Sequence, residues 1–289
     1  MTPEARSEAL IEALPYIQEY RGQTFVIKYG GAAMEDEHIV EKFLRDVVFL
    51  EAVGINPVLV HGGGKAITQR MKDAGLAARF IDGLRVTDAT AIRIVEGTLD
   101  GEINPAIVSS INEFGGRAKG FSGKEVFIAR KLAREAVVDG QKVGLGFVGE
   151  AEGVVAEGVR AAVGSEVVPV ISPIGATREG QVLNINADIA AAALAAELKA
   201  AKLIYVTDVR GIMRDASVAE SLIPSVTVKQ VGDLIKSKII GGGMIPKVQS
   251  ATEALGKGVG KIHLIGGGIQ HCLLLEIFTN AGIGTEIVP

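Results

Sequence analysis

The chain reads as an α/β protein in which a mainly parallel sheet is covered by helices. Two observations predict this. Short β-branched runs alternate with longer segments of helical period, and glycine clusters stand at or near the ends of several strands. A third bounds the size: 289 residues, 48% of them hydrophobic, can bury a large core in one α/β domain or two lobes.

Residues 3 to 21 predict a leading helix, because Leu10, Leu14 and Ile17 recur at helical spacing and Ala13 and Tyr20 widen the stripe. Such a helix either packs on its own domain or meets another subunit. TFVIKY (24–29) is the first strand, followed by a helix over 36–53, the strand PVLVH (57–61) and a helix over 64–75. A helical pattern over 88–113 is broken near Pro105, whose ring interrupts the hydrogen-bond ladder. Residues 120–150 hold short β runs between glycines and charges, which predicts hairpins projecting from the main sheet. A helix over 151–163, the strand VVPVIS (167–172), a helix over 188–199, the strand KLIYVTD (202–208), a helix over 246–257 and the strand KIHLI (261–265) complete the pattern. A composition shift at ATREGQ (176–181) divides the chain into two lobes sharing one sheet, 23–178 and 179–289, preceded by the helical segment 1–22.

Several function classes are disfavoured by composition. The net charge of −4, with no Lys/Arg block interleaved with aromatics, leaves no field for nucleic acid. The single cysteine, Cys272, lies in the apolar run CLLLEIF and reads as a buried hydrophobe in a reducing compartment. Acids occupy the N-terminus where a signal peptide needs basic residues, and no apolar run reaches the roughly 18 residues of a membrane span. A soluble, cytoplasmic protein acting on small molecules is expected.

The glycine clusters point to anions. YGG (29–31), HGGGK (61–65), IGGGM (240–244) and IGGG (265–268) follow or adjoin strands, and the second and third lead into helical patterns. A glycine turn before a helix presents free N–H groups and the positive end of a dipole to phosphate or carboxylate. The GxxxxGK[ST] pattern is absent, since FSGKE lacks the earlier glycine and has no hydroxyl after Lys124. A GxGxxG at Gly144, Gly146 and Gly149 sits among hairpin-like segments, which speaks against dinucleotide binding.

Lys28 ends the first strand, and Lys247 follows GGGMIP with Pro246 suited to the first turn of a helix. Each reads as an ordinary solvated lysine or, beside phosphate-shaped loops, as a point charge for a transferring phosphoryl group. In NINAD (184–188), Asp188 either caps the helix IAAAALAAEL or holds the two lysines in position. Asn184 and Asn186 alternate as on a strand and face a ligand together.

The blocks VIKYGG, HGGGK, DGLRVTD (82–88), ISPIG (171–175), LNINAD, YVTDVRGI (205–212), GGGMIPK and LLLEIFTNAGIGT are weak singly. In this order and spacing they resemble the N-acetyl-L-glutamate kinases of the amino acid kinase family, over essentially the whole chain. The resemblance implies a three-layer αβα sandwich with acetylglutamate bound by the first lobe, which also dimerises, and ATP by the second. It implies transfer of the ATP γ-phosphoryl group to the side-chain carboxylate of N-acetyl-L-glutamate, a step of arginine biosynthesis. Lys28 and Lys247 would then neutralise the transferring group and Asp188 would orient both, with no covalent phosphoenzyme. Gly30 and Gly31 would let backbone N–H groups approach phosphate. Gly63, Gly64, Arg85 and Asn184 would bind acetylglutamate, Arg85 as a bidentate fork. Thr207, Asp208, Gly241, Gly242, Gly243 and Met244 would bind ATP. Magnesium is expected to arrive as MgATP, with no metal held by the protein alone.

The segment before VIKYGG resembles that of the arginine-inhibited, hexameric branch. It implies a homohexamer built as a trimer of dimers, and inhibition by L-arginine near Tyr16, His263, Glu276 and Gly282. Some relatives also bind a nitrogen-sensor protein. Two departures stand out: Lys65 where the family commonly has proline, and Gly266 and Gly268 where it has an Asp-Gly-Arg type sequence. Two other readings stay open, a related kinase acting on aminoadipate derivatives, aspartate or glutamate, and a ligand sensor without chemistry. A free amino acid would need an acidic group to meet its ammonium, and the sensor would tolerate loss of Lys247.

Overall fold

The computed structural model describes residues 2–138, 141–215 and 217–289. Its centre is an eight-stranded sheet. From one edge to the other the strands are Ser225–Thr227, Thr285–Val288, Lys261–Gly266, Lys202–Thr207, Thr24–Tyr29, Asn56–His61, Val168–Ile171 and Ala118–Phe121. The last six run parallel, and the pair at the first edge runs the opposite way.

Both faces of this sheet are buried, and that is why its strands read as continuous apolar runs. The pleat sends alternate residues to opposite sides. Val26, Val58, Val60, Leu203, Tyr205 and Leu264 face the helices Glu157–Gly164, Ala187–Leu198 and Met244–Gly256. Phe25, Ile27, Tyr29, Leu59, Ile204 and Val206 face the helices Glu37–Ala52, Asn104–Glu113 and Cys272–Ile277. The result is the three-layer arrangement expected. Ala187–Leu198 buries Ala190, Ala191, Ala192, Ala195 and Ala196, small side chains that let it lie close against the sheet.

The leading helix spans Pro3–Tyr20. Ala13, Tyr16, Ile17 and Tyr20 are partly buried against the chain, whereas Leu10, Ile11 and Leu14 remain exposed by 67%, 68% and 43%. The break expected near Pro105 is a π-helical turn, Leu99–Ile103, between the helices Ala89–Thr98 and Asn104–Glu113.

The hairpin region is more closed than its sequence conveys. Phe127–Lys131, Val148–Val154, Ile174–Ala176 and Val182–Ile185 form a small four-stranded barrel. Beside it Glu135–Val138 pairs with Gln141–Gly144, residues 139–140 lying outside the described residues. The helix expected over 151–163 is corrected: its first part completes the strand Val148–Val154, and the helix begins only at Glu157. Pairing with Phe127–Lys131 overrides the local helical pattern there. Gly144 and Gly149 lie in these strands, so the GxGxxG match opens no helix.

Candidate functional site

The parallel strands Thr24–Tyr29, Asn56–His61, Lys202–Thr207 and Lys261–Gly266 all end at one edge of the sheet, with Lys28 opposite Tyr205, Tyr29 opposite His61 and Thr207 opposite Gly266. Ligands of open parallel sheets bind in the crevice beyond such carboxyl ends. Three glycine clusters and Asp208 therefore share one crevice.

Lys28 points to the side of the sheet that carries Ala187–Leu198 and Met244–Gly256. Asp188 stands in the first turn of the former helix and Lys247 in the first turn of the latter. Asp188 lies between the two ammonium groups, 3.3 Å from Lys28 Nζ and 2.6 Å from Lys247 Nζ. Lys247 donates a hydrogen bond to Oδ2, while the Lys28 contact to Oδ1 is an ion pair without hydrogen-bond geometry. Lys247 Nζ also stands 5.0 Å from the centre of the Tyr205 ring, whose hydroxyl donates to the Asp188 carbonyl at 3.3 Å.

The alternative of Asp188 as helix cap is excluded, because Asn186 does that work. Its side chain accepts from Asp188 N at 2.8 Å and Ile189 N at 3.4 Å. The Asn186 side-chain oxygen is thus committed to the helix end, while Asn184 lies on Val182–Ile185 with its amide 3.4 Å from Thr87 Oγ1. Burial pushes the Asp188 carboxyl up, but the two lysines outweigh it and hold it below the usual carboxylate range. Burial makes Lys247 easier to deprotonate, an effect that Asp188 partly offsets. Asp188 and the nearby Asp208 carboxylate balance the two lysines, and the helix N-terminus beneath Lys247 adds positive potential toward an incoming anion.

Gly30 and Gly31 are needed where they stand. A Cβ on Gly30 would lie 2.7 Å from Lys28 Nζ, and one on Gly31 would lie 2.2 Å from Asp208 Oδ1. Gly31 also has a φ of +66°, in the left-handed region that favours glycine. Gly241, Gly242 and Gly243 are exposed and open, and Met244 begins the helix that carries Lys247.

Gly63 and Gly64 open the helix Gly64–Asp73. The buried guanidinium of Arg85 sits behind them, its NH2 donating to Gly64 O at 2.7 Å and Thr68 Oγ1 at 2.8 Å, with the Phe80 ring 4.7 Å away. Lys65, in the first turn of that helix, pairs with Glu35 at 2.5 Å and ties it to the segment that follows the first strand. Lys124 pairs with Glu96, and its FSGKE segment contributes no phosphate loop.

A second cluster lies at the other end of the strand Lys261–Gly266. His263 Nδ1 is 2.6 Å from Glu276 Oε1, and Glu276 Oε2 accepts from Ile283 N at 2.7 Å and Gly284 N at 3.0 Å. Gly282, at φ +59°, leaves room where a Cβ would lie 2.8 Å from Glu276 Oε2. Tyr16 donates to Asn280 and meets the Phe278 ring edge-on. Lys202, which sequence reasoning missed, joins them 3.1 Å from His263 Nε2, with burial pushing its ammonium down to about 8. As a lysine at the start of a strand it carried no signal. Tyr20 of the leading helix covers it, 4.8 Å from ring centre to Nζ.

A cavity of about 330 Å³ beside Arg21, Gly54, Asn56 and Val167 opens at the opposite edge of the sheet and holds none of these groups. Among the described residues no three His, Cys, Asp or Glu side chains converge as a metal site, and no helix is long and apolar enough to cross a membrane.

Residues 23–266 match the model of the amino acid kinase family. An acetylglutamate kinase from Akkermansia muciniphila is 50% identical over 285 residues, covering 98% of this chain and 95% of that protein. One from Synechococcus elongatus is 48% identical, with 98% and 92% covered. Among solved structures, the N-acetylglutamate synthase from Neisseria gonorrhoeae complexed with coenzyme A and N-acetyl-glutamate superposes with a TM-score of 0.85 at 26% identity. This chain spans 63% of that longer one, which covers 98% of this chain. The same synthase complexed with coenzyme A and L-arginine gives 0.80 at 26% identity, with 98% of this chain and 65% of that one covered.

Proposed function

The chain belongs to the amino acid kinase family, and from that premise we propose that it transfers the γ-phosphoryl group of ATP to the side-chain carboxylate of N-acetyl-L-glutamate, in arginine biosynthesis. It is a phosphotransferase with a carboxyl group as acceptor. The observation that carries the reading is Asp188 held between Lys28 and Lys247 at the crevice where the glycine loops meet.

The chemistry asks for charge rather than proton transfer. A carboxylate with an ordinary pKa near about 4 is already ionised at neutral pH, so no base is required. One carboxylate oxygen forms a bond to the γ-phosphorus, the bond to the β–γ bridging oxygen breaks, and ADP leaves with that electron pair. Two anions must meet in line, and negative charge spreads over the transferring oxygens. Lys28 and Lys247 stabilise that charge, and Asp188 keeps both ammonium groups aimed at it. Gly30 and Gly31 bring backbone N–H groups to the phosphates. Thr207, Asp208 and the loop Gly241–Met244 hold the rest of the nucleotide, and Mg²⁺ arrives on ATP as part of the substrate. Gly63, Gly64, Asn184 and Arg85 hold the acceptor, with Arg85 meeting a carboxylate.

Regulation rests on the second cluster. L-Arginine binds beside Tyr16, His263, Glu276 and Gly282, where the buried Glu276 carboxylate suits a guanidinium, and the likeness to a synthase solved with L-arginine supports this. The exposed Leu10, Ile11 and Leu14 support a leading helix that meets another subunit, giving a homohexamer as a trimer of dimers in the cytoplasm. Some relatives of this branch bind a nitrogen-sensor protein, and the same kind of partner is proposed for this chain.

Acyl phosphate trapped as hydroxamate tests the whole reading, with N-acetylglutamate compared with free glutamate and L-arginine added. Activity confined to the acetylated substrate and abolished by arginine is expected. Activity on free glutamate instead would replace the acceptor. Deleting residues 1–20 should leave catalysis and give smaller, arginine-insensitive particles. A truncated hexamer in light scattering would remove the helix from assembly.

A further inference from the structure

The acceptor loop hangs from a histidine that is wholly buried. His61, 0% exposed, ends the strand Asn56–His61 and points away from the crevice. Its Nδ1 lies 2.8 Å from Gly62 O, and its Nε2 lies 3.3 Å from Asn104 Nδ2. Asn104 follows the π-helical turn Leu99–Ile103 directly.

Hydrogen-bond bookkeeping fixes the protons. Asn104 Nδ2 lies 2.9 Å from Val170 O, and a carbonyl only accepts, so the amide nitrogen faces it. The second hydrogen of that nitrogen points to His61 Nε2, which must accept. In the neutral ring the proton is then on Nδ1 and is donated to Gly62 O. Burial keeps the ring neutral, pushing its pKa down to about 4 against the pull of the Asp100 carboxylate. Asp100 is itself held by the Ser122 and Ser172 hydroxyls. Gly120 makes room for the amide, since a Cβ there would lie 2.2 Å from Asn104 Oδ1.

We propose that His61 is a positioning residue for the acceptor: its Nδ1–H anchors the Gly62 carbonyl, and Asn104 enforces that tautomer. Gly62 N already donates to Tyr29 O at 2.7 Å, so both ends of Gly62 are tied to the sheet. In a trans peptide the following N–H points opposite to the carbonyl, so anchoring Gly62 O aims Gly63 N–H away from His61. Leu99 and Ile103 form the floor, standing 2.6 and 2.7 Å from where a Gly63 Cβ would be. The π turn thus supplies both the floor and the amide that orients the loop.

This inference deepens the assignment of Gly63 and Gly64 to the acceptor and rests on it. Two variants separate hydrogen bonding from packing. His61→Asn keeps an N–H close to the Nδ1 position but fills the space poorly, whereas His61→Leu fills it better and cannot donate. His61→Leu is expected to raise KM for N-acetylglutamate about tenfold, the equivalent of one lost hydrogen bond, while KM for ATP stays the same. His61→Asn should recover most of that loss. The reverse order, or equal shifts in both KM values, overturns the proposal. NMR of the ¹⁵N-histidine-labelled wild type, with His61 assigned by its absence from His61→Asn, reads the tautomer without an assay. Protonated Nδ1 supports the proposal and protonated Nε2 overturns it. A wild type inactive on N-acetylglutamate would sink the acceptor assignment and with it the loop's stated role, even with Nδ1 protonated.

Discussion

Asparagine at position 188 keeps the size of the side chain and removes its charge, which isolates what the carboxylate does between the two lysines. The contacts are 3.3 Å to Lys28 and 2.6 Å to Lys247. At an effective dielectric of about 20, each represents roughly 5–6 kcal/mol of gross attraction. Withdrawing the three charges from water consumes most of that, and removing one partner of a buried pair leaves a net loss of about 3–5 kcal/mol. Lys247 recovers part of it, because an ammonium already destabilised by burial sheds its proton more readily without a counter-ion. Asp188→Asn should therefore lower Tm by on the order of 10 °C and cut turnover by about 10²–10³-fold, as loss of one preorganised charged group does. The nucleotide supplies a sharper signature. Its γ-phosphate brings negative charge to the place the carboxylate left, so MgATP should raise Tm more in the variant than in the wild type. Thermal melts with and without MgATP, run beside hydroxamate rates, measure both effects. Unchanged Tm and near-normal turnover would refute the charge argument, and an equal rise with MgATP in both proteins would refute the exchange of phosphate for carboxylate.

Gly31→Ala forces a Cβ to within 2.2 Å of Asp208 Oδ1 at a positive φ. It should raise KM for ATP by about tenfold or more and leave KM for the acceptor alone; normal ATP kinetics would free this glycine of its role. Arg85→Lys replaces the guanidinium, whose Nη2 donates to Gly64 O and Thr68 Oγ1, with an ammonium that cannot fork onto a carboxylate, and should weaken acceptor binding about tenfold; an unchanged KM would rule that contact out. His61 contributes to the pH dependence of stability beside other buried groups such as His263 and Asp46, because its imidazole is depressed from 6.5 to about 4 on folding. The unfolded chain binds the extra proton between those values, so stability falls as pH drops through that window. Asp188, lowered from 3.8, adds its own loss only below that pH. The wild-type Tm should fall more steeply than that of His61→Asn between pH 6.5 and 4, and parallel profiles would contradict a neutral buried imidazole.

What the sequence disclosed depended on how local each cause was. The central strands were legible because burial on both faces demands runs such as TFVIKY and KLIYVT. The Lys28–Asp188–Lys247 group was legible because each member sits where a strand ends or a helix begins. Residues 151–154, the second half of the strand Val148–Val154, were read as helix, since the partner across the barrel is a long-range pairing that no local period reveals. The antiparallel strand Thr285–Val288 and the helices Val228–Lys236 and Cys272–Ile277 escaped because they are short or closed by distant contacts. Asn186 was not recognised as the helix cap, because a cap differs from a strand residue only through where the helix starts. His61 and Asn104 gave no signal, as both act from beneath the loop rather than within it.

The central position of Thr24–Tyr29 has a consequence for how the chain is made. One of its neighbours, Asn56–His61, comes within a short stretch, but the other, Lys202–Thr207, lies far along the chain. During synthesis, at about 5–20 residues per second, that second edge stays unpaired for on the order of ten seconds or more. A long apolar edge of this kind is a template for pairing with other chains. Nascent or truncated chains that stop before Lys202 carry a half-built sheet with that edge open, and the two glycine loops following the first two strands are in place before either Asp188 or Lys247 exists. The reaction centre is therefore one of the last things this protein acquires, completed when the second half of the chain slides in beside its first strand.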